Sequence, residues 1–388
     1  MQHFTEATLA ATRADLPSLG PEAGPIIFAG TPEIAATCLA ELLKTGARVA
    51  AVLTRSDAEV GRRRRLTPSP VAQVADEHGI PVIKANRVDT EVTAELVAVG
   101  AELGVVVAYG ALLPGPALKA PKRGWVNLHY SKLPAYRGAA PVPHALLAGE
   151  IETAATVFQL ERGMDTGPLH GLVSYRVREA TSSGTVLEEL TALGSRLLAA
   201  LLPDLLSGAS VPQAQEGEPS FAPKLTREDA FIDPRRPAAE LISRINATIP
   251  EPGAWTLNGE QRIKLGVARI YRPAASDTAE PRPEVTPRAE AESTSLRPET
   301  DVPIGTVLQL PAETAGAAPV IAFRAADGGF VVLSSVQPAG KQMINASDWF
   351  RGLQSQVRLG ALESADADAD ADADQNSSPS LPTKDTKP

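Results

Sequence analysis

Three polar residues carry the chemistry that this chain could perform. Asn127 and His129 stand two apart in the apolar run GWVNLHY, and Asp165 sits in the glycine-flanked segment ERGMDTGPL. A strand turns alternate side chains to the same face, so Asn127 and His129 share one. That face lies at the carboxyl end of a buried strand, where open α/β sheets bind ligands. Taken singly, a histidine in a strand is most often a satisfied core residue and an aspartate before Thr-Gly a turn former. Brought together on loops at one sheet edge, an amide donor, an imidazole and a carboxylate can polarise a carbonyl and take a proton from an attacking nucleophile.

Other chemistries lack their residues. FAGTPE (28–33) is a strand–turn–helix junction, but Gly30 is its only glycine, whereas dinucleotide binding uses G-x-G-x-x-G. No G-x-x-x-x-G-K-[ST] phosphate cradle and no G-x-S-x-G nucleophile elbow occurs. The histidines His3, His78, His129, His144 and His170 and the single cysteine show no metal-ligand spacing, so no metal is expected. Cys38, within IAATCLAELL, reads as a small core residue, and one cysteine leaves no internal disulfide.

The elements that must position the trio alternate along the chain. PIIFAG (25–30), ARVAAVLTR (47–55), PVIKA (81–85), LGVVVAYG (103–110) and GWVNLHY (124–130) read as near-continuous apolar strands separated by helices. That is the pattern of a parallel sheet covered on both faces. TAATVFQL (153–160) and PLHGLVSYRV (168–177) extend it, and a long amphipathic helix closes the domain near residue 207. The expected organisation is therefore a loose extension over 1–24, a catalytic domain over 25–207, a linker over 208–224 and a second domain over 225–360. In that second domain AWTLNGEQRIKLGVARIY reads as a hairpin about Asn258-Gly259, and VLQL, VIAFRA and FVVLSSVQ as further short strands, together a small β-barrel.

The formal charge of −9 is confined to two low-complexity stretches. Residues 273–303 contribute −4 and residues 361–388 contribute −5, leaving the rest neutral overall. Both stretches read as disordered, the first as an insertion in the barrel and the second as an acidic tail. A neutral body can still carry a local basic patch. The run Arg62-Arg63-Arg64-Arg65 is the obvious one, and Lys224, Arg262, Lys264 and Lys341 could extend it. The apolar runs fall short of the ~20 residues of a membrane span. The N-terminus lacks a basic start followed by an apolar segment. No membrane partner is expected, and a cytoplasmic location is.

GTPE, the arginine-rich loop before LTPSPV, VVVAYG, NLHYSKLP, YRGAAPV and MDTG, in this order and spacing, closely resemble the methionyl-tRNA formyltransferase family. PEPGAW and LSSVQPAGK resemble that family's C-terminal domain. The resemblance implies a Rossmann-like N-terminal domain, an OB-like C-terminal barrel and a monomer. It implies transfer of formyl from 10-formyltetrahydrofolate to the α-amine of methionyl-initiator tRNA, for translation initiation. Asn127, His129 and Asp165 match the family's catalytic residues, Ser131, Lys132, Leu133 and Pro134 its folate-binding loop, and the four arginines its tRNA contact. Tyr130 and Lys132 depart from the small and apolar residues usual there. The expected mechanism has Asp165, hydrogen-bonded to His129, accept the amine proton while Asn127 and protonated His129 hold the oxyanion. Two alternatives stay open: a formyltransferase of a small amine, which would need neither the arginine loop nor the barrel, and a non-catalytic RNA-binding protein on the same scaffold.

Overall fold

The computed structural model describes residues 2–4, 19–20, 23–61, 64–273, 302–314 and 316–360. Its first part runs β1 (Gln2–Phe4), β2 (Ile26–Gly30), α1 (Glu33–Lys44), β3 (Val49–Thr54), β4 (Ala58–Val60), β5 (Arg65–Thr67), α2 (Pro70–Glu77) and β6 (Val82–Lys84). It continues with α3 (Thr90–Ala98), β7 (Leu103–Val107), α4 (Gly115–Leu118), β8 (Trp125–His129), α5 (Pro141–Leu147), β9 (Glu152–Gln159), β10 (Leu169–Arg176) and α6 (Ser183–Ser207). Polar caps start the helices where chain direction must change: Ser69, Asp89 and Ser182 each accept a backbone N–H in the first turn of α2, α3 and α6.

Eight strands form one sheet in the order β1-β10-β9-β8-β7-β2-β3-β6. β8, β7, β2, β3 and β6 are parallel, as their apolar runs predict. β9 corrects that expectation by running antiparallel to both β8 and β10. Parallel neighbours need a crossover of about a dozen or more residues. The loop at 160–168 is too short for one, so β10 must return antiparallel. The extension expected to be loose over 1–24 contains β1, which adds in parallel to the free edge of β10.

β8 separates its side chains cleanly. Val126, Leu128 and Tyr130 join the core beneath α1 and α6, while Asn127 and His129 face the other way. Tyr130 is thus a core residue, its hydroxyl 3.2 Å from Thr191 Oγ1 and 3.9 Å from Cys38 Sγ. Burial pushes the Cys38 thiol up to about 12, so it stays protonated and unreactive. α6, with 25 residues, is the one described helix long and apolar enough to cross a membrane, which the run lengths alone did not anticipate. Leu190, Leu197, Leu198, Leu201 and Leu202 bury it within the sheet domain.

The second part comprises α7 (Ala238–Ala247), β11 (Trp255–Asn258), β12 (Gln261–Leu265), β13 (Ala268–Ile270), β14 (Val307–Leu310), β15 (Val320–Arg324), β16 (Phe330–Leu333), β17 (Ser335–Pro338), β18 (Ile344–Asn345) and α8 (Ala346–Arg351). Two antiparallel sheets, β11-β12-β17-β18 and β13-β16-β15-β14, share a core of Ile263, Leu265, Phe323, Val331, Val336 and Trp349. The segment at 357–359 links their outer strands, through Asn258↔Leu359 and Thr306↔Arg358. The hairpin about Asn258-Gly259 forms, with Gly259 at φ +56. Residues 274–301 of the expected insertion, and the whole expected tail at 361–388, lie outside the described residues.

Tyr130→Phe removes one buried hydroxyl on the face away from His129. A urea titration should show a loss of about 1 kcal/mol, with turnover unchanged.

Candidate active site

The site is built where β8 ends. His129, 7 % exposed, is the last residue of β8, its ring edge-on to Phe158 across the β8–β9 pair. Its Nε2 lies 3.0 Å from the Tyr136 carbonyl. A carbonyl only accepts, so Nε2 carries the hydrogen and the neutral ring presents a bare Nδ1. Burial holds the imidazole below the usual histidine range, and the nearby Asp165 carboxylate and the Tyr136 carbonyl offset only part of that. In the ligand-free site burial therefore favours a neutral His129, whereas the mechanism expected from the sequence uses a protonated one.

Asp165 reaches this spot by an unexpected route. Leu160 N–H bonds the Trp125 carbonyl, so the β9–β10 loop departs level with the amino end of β8, roughly 13 Å from His129 at ~3.3 Å per residue. It then folds back along the sheet. Instead of two loops at one edge, one loop comes from each end of β8. Asp165 sits at φ +52, a left-handed conformation that aspartate tolerates better than most residues. Gly167 closes the turn, where a Cβ would fall 1.7 Å from the Gln159 carbonyl oxygen. Asp165 Oδ2 accepts the Gly138 N–H at 2.7 Å and stands 3.8 Å from His129 Nδ1. The direct His129–Asp165 hydrogen bond expected from the sequence is not made. The two groups stand close enough for one donor beside them to reach both.

Asn127 lies two residues before His129 on the same strand face and is half-buried. Among the described residues no hydrogen bond engages its side chain, which leaves its amide open to a ligand. The Ser131–Pro134 segment follows directly. Ser131 is fully buried, its hydroxyl donating to the Ala135 carbonyl and its carbonyl accepting from Thr156. Leu133 packs with Phe158 and Leu169, and Pro134 is buried. Lys132 points outward, its Nζ 3.5 Å from Glu152. The departures at Tyr130 and Lys132 thus fall on the core and on the surface, on either side of the cleft.

The linker expected over 208–224 does more than connect. Its Ser220 accepts the Arg137 N–H through the backbone and the Tyr136 N–H through Oγ, and its Ala222 exchanges hydrogen bonds with Arg137 and Ala140. Gln215 bonds Arg137 and the carbonyls of Asp165 and Gly167. Sequence reading missed these residues because a polar, proline-rich linker has no periodicity to mark an inward-facing glutamine.

Of the four arginines, Arg62 and Arg63 lie outside the described residues. Arg64 and Arg65 sit at the tip of the exposed β4–β5 hairpin, Arg64 paired with Glu59 at 2.5 Å. Arg262 and Lys264 lie on β12 and Lys341 on the turn after the neighbouring β17. Arg262 and Arg227 both pack against the Trp255 ring, at 4.9 and 5.2 Å from its centre. Lys224 is elsewhere, in the cleft between α5 and α7 with His144 and Arg244.

This arrangement can be set against known proteins. Residues 25–202 match the formyl transferase domain and residues 224–354 the formyl transferase C-terminal domain. The methionyl-tRNA formyltransferase of Clavibacter sepedonicus is 43% identical over 331 residues, 85% of this chain and 98% of that protein. That of Paenarthrobacter aurescens is 42% identical over 335 residues, 86% and 98%. Among solved structures, an N-formyltransferase from Helicobacter canadensis in complex with folinic acid and dTDP-3-aminofucose shares the fold, with TM-score 0.56 and 17% identity over 79% of this chain and 98% of that one. Matched at this identity over nearly the full length of its relatives, with both of their domains present, the chain belongs to the methionyl-tRNA formyltransferase family.

Proposed function

We propose that the chain transfers the formyl group of 10-formyltetrahydrofolate to the α-amino group of methionyl-initiator tRNA. The observation that carries this reading is the approach of the Asp165 carboxylate to His129, with Asn127 on the same face of β8, in a chain whose curated relatives bear the methionyl-tRNA formyltransferase name. The trio argues against a non-catalytic RNA-binding protein, and the C-terminal barrel together with the arginine hairpin of the N-terminal domain argues against a small-amine substrate.

The chemistry follows from the geometry. An α-amine attacks only when neutral, and its nitrogen must shed one of its own protons as the new C–N bond forms. A nitrogen approaching beside Asp165 Oδ2 and the bare His129 Nδ1 meets two acceptors, so either takes that proton, directly or through water. Proton-transfer help of this kind is worth ~10²–10⁴-fold. His129 Nε2 is committed to the Tyr136 carbonyl, so the uncommitted Asn127 amide is the donor for the developing oxyanion. The proton then passes to the departing folate nitrogen as its bond to the formyl carbon breaks. The Ser131–Pro134 segment, which follows β8 directly, would hold the flat folate through its main-chain groups.

In single-turnover assays with 10-formyltetrahydrofolate and charged initiator tRNA, Asn127→Ala should lose about 10²–10³ in kcat and Asp165→Ala about 10²–10⁴. Near-normal turnover in Asp165→Ala would reject the assignment. NMR titration of His129 should give a midpoint below the ~6.5 of an ordinary histidine. Asp165→Asn should lower it further, because the carboxylate favours the charged ring. A midpoint at or above the ordinary value would mean that the imidazole is not buried neutral. Replacing Arg62, Arg63, Arg64 and Arg65 with alanine should flatten the salt dependence of tRNA binding by ~0.9 in log–log slope per lost phosphate contact and spare folate affinity. An unchanged slope would take the hairpin off the RNA.

A further inference from the structure

We infer that Gln215, in the segment joining the two domains, is a positioning residue that sets the separation of Asp165 and His129; this rests on the formyl-transfer reading above. The inference stands on one side chain making three hydrogen bonds to two separate loops. Gln215 Nε2 donates to the Asp165 carbonyl at 2.7 Å and to the Gly167 carbonyl at 2.9 Å. Its Oε1 accepts from Arg137 at 2.6 Å. The two carbonyls flank the turn that carries Asp165 in its left-handed conformation, so the amide stabilises a backbone shape that would otherwise cost energy.

Arg137 is equally well placed. On one side of it Tyr136 offers the carbonyl that fixes the His129 tautomer, and on the other Gly138 offers the N–H that holds Asp165 Oδ2. Tyr136 is itself at φ +60, unusual for a bulky residue. A glutamine is the side chain for this task because it combines two donor hydrogens with an acceptor on one planar group. Without it, the Gly138 N–H bond to Asp165 Oδ2 is the one hydrogen bond left between the Asp165 turn and the 134–140 loop among the described residues. A displacement near 1 Å away from the chemistry can cost 10²-fold in rate.

The test uses the full chain. Gln215→Ala removes all three bonds. Gln215→Glu keeps the size and the Arg137 partner but removes the donor to both carbonyls. Both variants should lose about 10- to 100-fold in kcat, with KM for 10-formyltetrahydrofolate and for charged tRNA within about twofold of wild type. In parallel, hydrogen exchange of the Gly138 amide, protected by Asp165 in the wild type, should accelerate in both. This second arm needs no turnover, so an inactive wild type would count against the functional reading while the exchange rates still decide the role of Gln215. Unchanged Gly138 exchange overturns the inference, as does a Gln215→Glu variant with wild-type kcat. A rise in KM that matches the fall in kcat/KM, with kcat preserved, would assign Gln215 to substrate binding and overturn it as well.

Discussion

The site depends on a desolvated imidazole kept neutral. His129 lies at the end of a buried strand, where an unpaired charge would be costly, and its one N–H is committed to a backbone carbonyl. From that follow the direction of the bare Nδ1, the need for a separate anchor for the Asp165 carboxylate and, under the proposed reaction, the use of Asn127 as the donor to the oxyanion. Had the carboxylate closed onto the bare Nδ1, two acceptors would face each other with no hydrogen between them, an unfavourable contact. The Gly138 amide prevents this by holding Oδ2 from the side. The 134–140 loop therefore meets both partners through main-chain groups, the Tyr136 carbonyl and the Gly138 N–H.

Much of this was legible in the residues. The period of two in GWVNLHY placed Asn127 and His129 on a common face because β8 is a buried strand with its other face in the core. The alternation of apolar runs and helices gave the parallel half of the sheet, and Asn258-Gly259 gave the barrel hairpin. Strand direction was not legible beyond β8, since an apolar run such as TAATVFQ looks the same whichever way it pairs. Loop trajectories were not legible either. Nothing in ERGMDTGPL states that the segment turns back over the sheet, because that path is set by its ends, the Trp125 carbonyl and the Gln159–Pro168 contact. The neutral state that burial favours for His129 was not legible for a related reason: it depends on burial and on a carbonyl seven residues away.

The two domains are joined by more than a tether. The 208–224 segment runs antiparallel to Leu169 at Gln213 and beside Arg137 at Phe221 before entering the barrel. Arg272 of the barrel pairs with Glu179 at the far end of β10, and Ser183 at the start of α6 donates to Ile249. A long macromolecular substrate that touches both parts would meet a cleft whose walls are continuous with its distant contact surface. The paired packing of Arg227 and Arg262 against Trp255 places positive charge on a rigid aromatic support, where little conformational freedom is left to lose on association.

The backward path of the β9–β10 loop has a consequence for how this site can vary. The segment starts beside Trp125 and must deliver a carboxylate to His129, four residues further along β8, before rejoining the sheet at Leu169. Its span is thus a ruler. Deleting one residue between Leu160 and Asp165 would pull the acid back toward the strand's beginning, and inserting one would let it overshoot, even with every reactive side chain retained. Insertions and deletions in this stretch should therefore be tolerated far less than substitutions at its exposed positions, such as Met164.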